Sequence, residues 1–242
     1  MQDRPLSSMG AAVVTNPMTP ATPYTAGKGS DTAKNRRSVA GNDVAVLSAI
    51  YEEDVNIANW HRELPEPLRC SVEHLLDLAP AFGMSLMTTP AKAYEGVSEA
   101  LPKNYQGPLA EDVAEIVEMF CFLFDLKRAG LRLTALNEAM CPRFHVDKVP
   151  CRLVTTYSGR ATEWLPQERI DRTKLGMGYL GLPDSDLGLY KSADDIRTMR
   201  SGDIALLKGE AWIGNENGGL VHRSPSLAAG ARRLLLTVDF GS

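Results

Sequence analysis

Cys141-Pro-Arg-Phe-His-Val-Asp-Lys-Val-Pro-Cys-Arg-Leu-Val-Thr-Thr-Tyr157 is the stretch on which the reading of this chain turns. It holds a His-x-Asp pair, His145 and Asp147, and runs straight into an alternating, β-branched segment over residues 151–157, closed by Ser158-Gly159. In extended chain, residues two apart point to the same face, so His145 and Asp147 project together from the start of a strand.

From Leu131 on, the apolar period is two. Leu131, Leu133 and Ala135 alternate with Arg132 and Thr134. Further strands are predicted over 161–165, 203–208, 211–214, 219–223 and 232–240, separated by Gly-, Asn- and Asp-rich turns. Residues 168–200 read as an inserted loop, with the glycine run Gly176-Met-Gly-Tyr-Leu-Gly181 and a short helix over 192–199 capped by Ser192. Upstream the period is helical. Asp43 is a plausible N-cap for a pattern through Val44, Leu47, Ile50, Val55 and Ile57, which 56–62 continues or follows with a second helix until Pro65 and Pro67 stop it. Residues 68–78 give an amphipathic helix, and 84–108 are ambiguous between helix and strand. Residues 108–130 give the clearest helix, with Gly130 as its stop. The expected fold is α+β: a sandwich or jelly-roll core over 131–242, backed by a helical layer over 41–130, in one domain spanning 41–242. Residues 1–40, rich in Pro, Thr, Ser and Gly without hydrophobic period, read as a disordered tail.

Bulk properties narrow the classes. Hydrophobic residues make up 44% and charged residues 23% of 242, ordinary for a soluble globular chain. A net charge of -4, with no basic stripe, argues against nucleic acid. Four cysteines without a CxxC make no disulfide framework; Cys70, Cys121 and Cys151 read as buried thiols, suiting a reducing cytoplasm. No secretory h-region is visible, and the longest apolar run, 113–126, carries Glu115 and Glu118, so no membrane span is expected. The oligomeric state is not read from the sequence.

The candidate site starts from His145 and Asp147. A second histidine would complete a 2-His-1-carboxylate set, which leaves three adjacent coordination positions open on a metal such as Fe(II). Of the other histidines, His61 and His74 fall in the helical half and read as packing or solvated residues, whereas His222 lies in a predicted strand. Arg232 and Arg233 follow it by ten and eleven residues. They face opposite sides of their strand, and the one pointing inward is suited to hold a dicarboxylate through a bidentate fork. Spacing leans to Arg232, while strand pairing could favour Arg233. A weaker alternative is a mixed zinc set of Cys141, Cys151 and His145, against which Pro142 and Pro150 fix the local path. Trp164 and Trp212 read as core in preference to pocket lining. The glycine run lacks a following Lys-Ser/Thr and is read as a lid or turn.

The order of these motifs, His145-x-Asp147, then Gly202-Asp-Ile-Ala-Leu-Leu-Lys208, then Leu220-Val-His-Arg-Ser-Pro225, then Arg232-Arg233 before an apolar strand, resembles the 2-oxoglutarate and Fe(II)-dependent dioxygenase superfamily over residues 131–240. That resemblance implies a double-stranded β-helix, with His145, Asp147 and His222 as iron ligands. It also implies Arg232 or Arg233 as partner of the far carboxylate of 2-oxoglutarate, Tyr157 as a second contact, and hydroxylation of a substrate it does not name. Over the whole chain, Cys141–Asp147, Thr156-Tyr-Ser-Gly159 with Glu163-Trp-Leu165, and His222-Arg-Ser-Pro225 resemble the bacterial domain of unknown function 1826. Members of that family are often associated with zinc-homeostasis gene neighbourhoods. This keeps open an alternative: a non-catalytic zinc-binding protein using the same three ligands.

Overall fold

In a computed structural model, residues 35–176 and 181–241 are described. The tail expected over 1–40 lies mostly outside them, but its end is ordered: β1, Arg37–Gly41, is a strand. The elements that follow are a 3-10 helix Val44–Tyr51, β2 (Val55–Trp60), α1 (Glu66–Leu78), β3 (Gly83–Thr88), α2 (Pro90–Ala100), α3 (Leu109–Leu123), β4 (Ala129–Leu136), β5 (Cys151–Ser158), β6 (Glu163–Leu165), β7 (Arg197–Thr198), β8 (Ile204–Lys208), β9 (Val221–Arg223) and β10 (Arg233–Phe240).

Seven strands form a large sheet in the order β1-β2-β8-β5-β10-β4-β3, and three form a small sheet, β7-β6-β9. An isolated antiparallel bridge between His145 and His222 extends the small sheet to the His-x-Asp stretch. From β4 onward the chain visits the sheets in a regular way: large (β4), small (the His145 bridge), large (β5), small (β6, β7), large (β8), small (β9), large (β10). This passage between two sheets brings residues 75 or more positions apart in sequence into register.

Alternation along the strands assigns the faces. Leu153 and Tyr157 of β5, and Leu234, Leu236 and Val238 of β10, pack with Leu75, Val97, Val113, Val117 and Phe120 of the three helices. Phe120 is almost fully buried; truncating such a phenylalanine to Ala costs about 3–5 kcal/mol. On the opposite face, Ile57, Val154, Ala205 and Leu207 meet Ala161, Met199 and Leu220, with Trp164 against them. The outer face of the small sheet, Leu165 and Val221 with Phe144, is covered by Leu189, Ile170, Leu175, Tyr190 and Ile196. The insertion expected over 168–200 is therefore a buttress on the back of the small sheet in its described part. Residues 177–180 of its glycine run lie outside the described residues. Ser192 caps as expected, through a reciprocal capping box with Asp195, but the helix is a single 3-10 turn, Ala193–Asp195.

Four expectations are corrected. Residues 41–130 are not a helical layer throughout, because β2 and β3 join the large sheet. The segment 56–62, read as helix, is β2: it lies between β1 and β8 and is buried on both faces over its first four residues, so its apolar pattern carries no strand alternation. Residues 211–214 form a turn, held by the buried Asn215, which donates to the Gly209 carbonyl (2.9 Å) and accepts from Arg36 (2.8 Å). The clearest helix ends at Leu123, well before Gly130, because Asp125 takes a left-handed φ of 52° and the Leu126 N–H closes back on the Cys121 carbonyl. Among the described residues no helix is long and apolar enough to cross a membrane.

Candidate metal centre

His145, Asp147 and His222 converge. One donor atom from each lies within 4.8 Å of the other two. His145 Nε2 is 3.9 Å from Asp147 Oδ1, His222 Nε2 is 3.5 Å from Asp147 Oδ2, and the two imidazole rings are 4.6 Å apart. Three donors sharing one ion at ~2.0–2.2 Å would stand roughly 3 Å apart, so an ion would draw this set in by about one to two ångström. The backbone makes the placement. The His145 N–H donates to the His222 carbonyl and the His222 N–H to the His145 carbonyl, both at 3.0 Å. A directly opposed antiparallel pair shares a face, so both rings project into the space between the sheets.

The protonation states suit a metal. His145 Nδ1 lies 2.9 Å from the Arg143 carbonyl and His222 Nδ1 lies 3.1 Å from the Leu220 carbonyl. A carbonyl can only accept, so each Nδ1 carries a proton, which leaves Nε2 as the nitrogen through which each ring can take a metal. Burial pushes His222 down to about 4, against the opposing pull of Asp147, so the ring is neutral at physiological pH. Asp147 Oδ2 is buried and has no hydrogen-bond partner. An unpartnered buried carboxylate oxygen is costly unless something binds it, and here the His222 Nε2 stands 3.5 Å from it.

The two arginines separate. Arg232 points to the helical side, where it donates to the Leu76 carbonyl (2.6 Å) and to Asp77 (2.7 Å) at the end of α1. Arg233 points between the sheets and is 1% exposed. Its Nη2 donates to Thr156 Oγ1 (3.1 Å) and Thr162 Oγ1 (2.8 Å), and its Nε has no partner. Among the described residues no carboxylate forms an ion pair with it, and burial pushes it down to about 10. Tyr157 faces the helices. Its hydroxyl donates to Asp112 (2.6 Å), which also takes a two-pronged contact from Arg62. That network fastens α3 to β5 and stands on the opposite side of the sheet from the three donors.

The other candidates fall away from the centre. Cys141 is exposed, and Cys151 is buried, its thiol pushed far up by burial; neither belongs to the donor cluster. Cys70, expected to be buried, is exposed, with its thiol on Glu66. His61 meets Asp203 at 3.0 Å, and His74 stacks on Tyr105. Trp164 is paired across the small sheet with His222, on its inner face. Trp212 packs instead on Tyr51 and Phe124 near the large sheet.

Two supports were not visible from the motifs. Arg152 donates to Asp147 Oδ1 (3.0 Å) and grips Asp239 through Nε and Nη2 (2.8 and 2.9 Å). Arg152 shares the inward parity of Val154 and Thr156, and a charge at an inward strand position is the signal that could have found it. Asp184 reaches from the insertion to accept the Phe144 N–H (2.9 Å), anchoring the residue before His145.

With this geometry in place, comparison with known proteins gives a family. The family described as "Protein of unknown function (DUF1826)" matches residues 41–239. The chain belongs to the DUF1826 family. No curated protein matches it. Among solved structures, this DUF1826 member is similar to a rice dioxygenase for auxin oxidation, at 12% identity over 85% of this chain and 83% of that one, with a TM-score of 0.47. It is similar to a Pseudomonas putida prolyl-4-hydroxylase, at 12% identity over 81% and 96%, TM-score 0.42. It is also similar to the 2-oxoglutarate complex of dioxygenase for auxin oxidation 1 from Arabidopsis thaliana, at 9% identity over 86% and 93%, TM-score 0.44.

Proposed function

We propose that this DUF1826 protein is an Fe(II)- and 2-oxoglutarate-dependent oxygenase built on a double-stranded β-helix. The repeated passage between the two sheets from β4 to β10 supports the fold assignment, since a jelly roll follows a double-sheet path of this kind. The observation that carries the function is Arg233: a buried guanidinium with no carboxylate in ion-pair contact among the described residues, only the longer-range pull of Glu163, facing from the large sheet into the same space between the sheets as the donors of the small sheet. A protein that only stored zinc would have no use for it. An enzyme taking a dicarboxylate beside the metal would.

In this reading His145 and His222 offer Nε2, because their Nδ1 protons are tied to carbonyls, and Asp147 offers Oδ2. When bound, Fe(II) with 2-oxoglutarate supplies O₂ activation coupled to oxidative decarboxylation of the oxo acid. Arg233, supported by the Thr156 and Thr162 hydroxyls, holds the far carboxylate. Val154 and Leu220, packed between the sheets, keep the neighbouring space dry and strengthen that ion pair. The ligand set leaves three positions for co-substrate and O₂.

The test is anaerobic purification, metal analysis, and calorimetric titration of 2-oxoglutarate into Mn(II)-loaded protein. Succinate formation with Fe(II) and O₂ then follows by NMR. Binding and turnover are expected, with both lost in H222A and D147N. Tight zinc with neither binding nor turnover would replace the oxygenase with the metal-storage alternative.

A further inference from the structure

We propose that Arg152 and Asp239 are positioning residues that turn Asp147 so that it meets the metal through Oδ2 alone. The inference rests on the ligand assignment above and goes beyond it.

Asp147 stands on no strand, so its side chain needs an external anchor. It has one. Arg152 Nη1 donates to Oδ1 at 3.0 Å, while Oδ2, buried and unpartnered, is the oxygen 3.5 Å from His222 Nε2. Arg152 is itself fixed. Its Nε and Nη2 close a two-point fork on Asp239, the residue directly opposite it where β5 pairs with β10. A planar guanidinium held at two points has little freedom at its third. The network thus uses a rigid cross-strand pair to hold one oxygen of a loop carboxylate. With Oδ1 engaged by Arg152, only Oδ2 would be left to hold a metal.

Charge and positioning predict opposite signs, which makes the idea testable without catalysis. If Arg152 were only a neighbouring cation, its removal would relieve repulsion and tighten divalent metal binding. As a positioning residue its removal weakens binding, by roughly 10- to 100-fold for partners of this kind. Co(II) alone is the probe, titrated by calorimetry and followed by its visible absorption, whose intensity reports coordination number. R152A is expected to weaken Co(II) binding and change the spectrum. R152K, which keeps the charge but cannot make the fork, falls between. Should R152A fail to fold, R152Q/D239N replaces the ion pair by neutral amides of similar shape and is expected to show the same spectral change. Tighter or unaltered binding with the wild-type spectrum in these variants overturns the proposal, as does wild-type protein that takes no Co(II). Wild-type protein that binds Co(II) with this dependence on Arg152, yet binds no 2-oxoglutarate, would remove the oxygenase reading and leave this one standing.

Discussion

Replacing Arg233 by Met is expected to stabilise the metal-free protein while destroying its affinity for 2-oxoglutarate. Burial lowers the guanidinium from 12.5 to about 10. The charged form is present in both folded and unfolded chains at pH 7, so its burial cost falls on the folded state in full. At ~1.4 kcal/mol per pH unit that cost is about 3 kcal/mol. Met fills similar volume without charge. It leaves Thr156 and Thr162 without their donor, at about 1 kcal/mol each. The net gain is about 1 kcal/mol, a rise in Tm of roughly 2–4 °C for a domain of this size. The ligand side has the opposite sign and is larger. Removing one partner of a buried charged pair costs about 2–5 kcal/mol, so 2-oxoglutarate should bind roughly 30-fold to several thousand-fold more weakly. Thermal unfolding of metal-free protein and calorimetry on Mn(II)-loaded protein read the two effects separately. A variant several degrees less stable than wild type, or one that retains 2-oxoglutarate affinity within about threefold, would refute the argument.

Three further outcomes follow from other contacts. R232A removes the link to Leu76 and Asp77 at the end of α1; it should cost under about 1 kcal/mol, as partly exposed pairs do, and leave 2-oxoglutarate binding unchanged by calorimetry. Gly209→Ala puts a Cβ 2.0 Å from the Val149 carbonyl oxygen and 2.8 Å from that of Asp147; overpacking against backbone should cost about 1–3 kcal/mol by urea unfolding and weaken Co(II) binding by moving the loop that carries Asp147. Burial lowers Lys208 from 10.5 to about 8, so between those pH values the unfolded chain binds a proton that the folded chain does not. Stability contributed by this group therefore rises with pH across that window, and the unfolding free energy of K208M should climb less steeply there, by about 1–2 kcal/mol in total.

What the sequence made legible was local in pattern or fixed by parity. His145 and Asp147 are close because they are two apart, although Asp147 lies on no strand and is steadied by Arg152. Arg232 and Arg233 oppose because they are one apart, and only pairing with β4 and β5 decides which turns inward. Residues 56–62 were misread because a strand buried between two others carries no polar alternation to mark it. Arg152 and Asp239 escaped notice for another reason. Their meaning lies in a cross-strand register 87 residues apart, and each alone is an ordinary strand charge. Tyr157 shows the converse: its place on β5 was read correctly, but the helix that consumes its hydroxyl supplies Asp112 from 45 residues upstream.

The position of β10 in the large sheet has a further consequence. It lies between β5 and β4 and carries both Arg233 and Asp239. A strand at the centre of a sheet exchanges its amide hydrogens only when the domain opens as a whole. A dicarboxylate resting on Arg233 would therefore slow the slowest-exchanging amides of the molecule, by a factor set by its concentration over its dissociation constant. Occupancy of the site would be written into global exchange rates, a readout that needs no turnover.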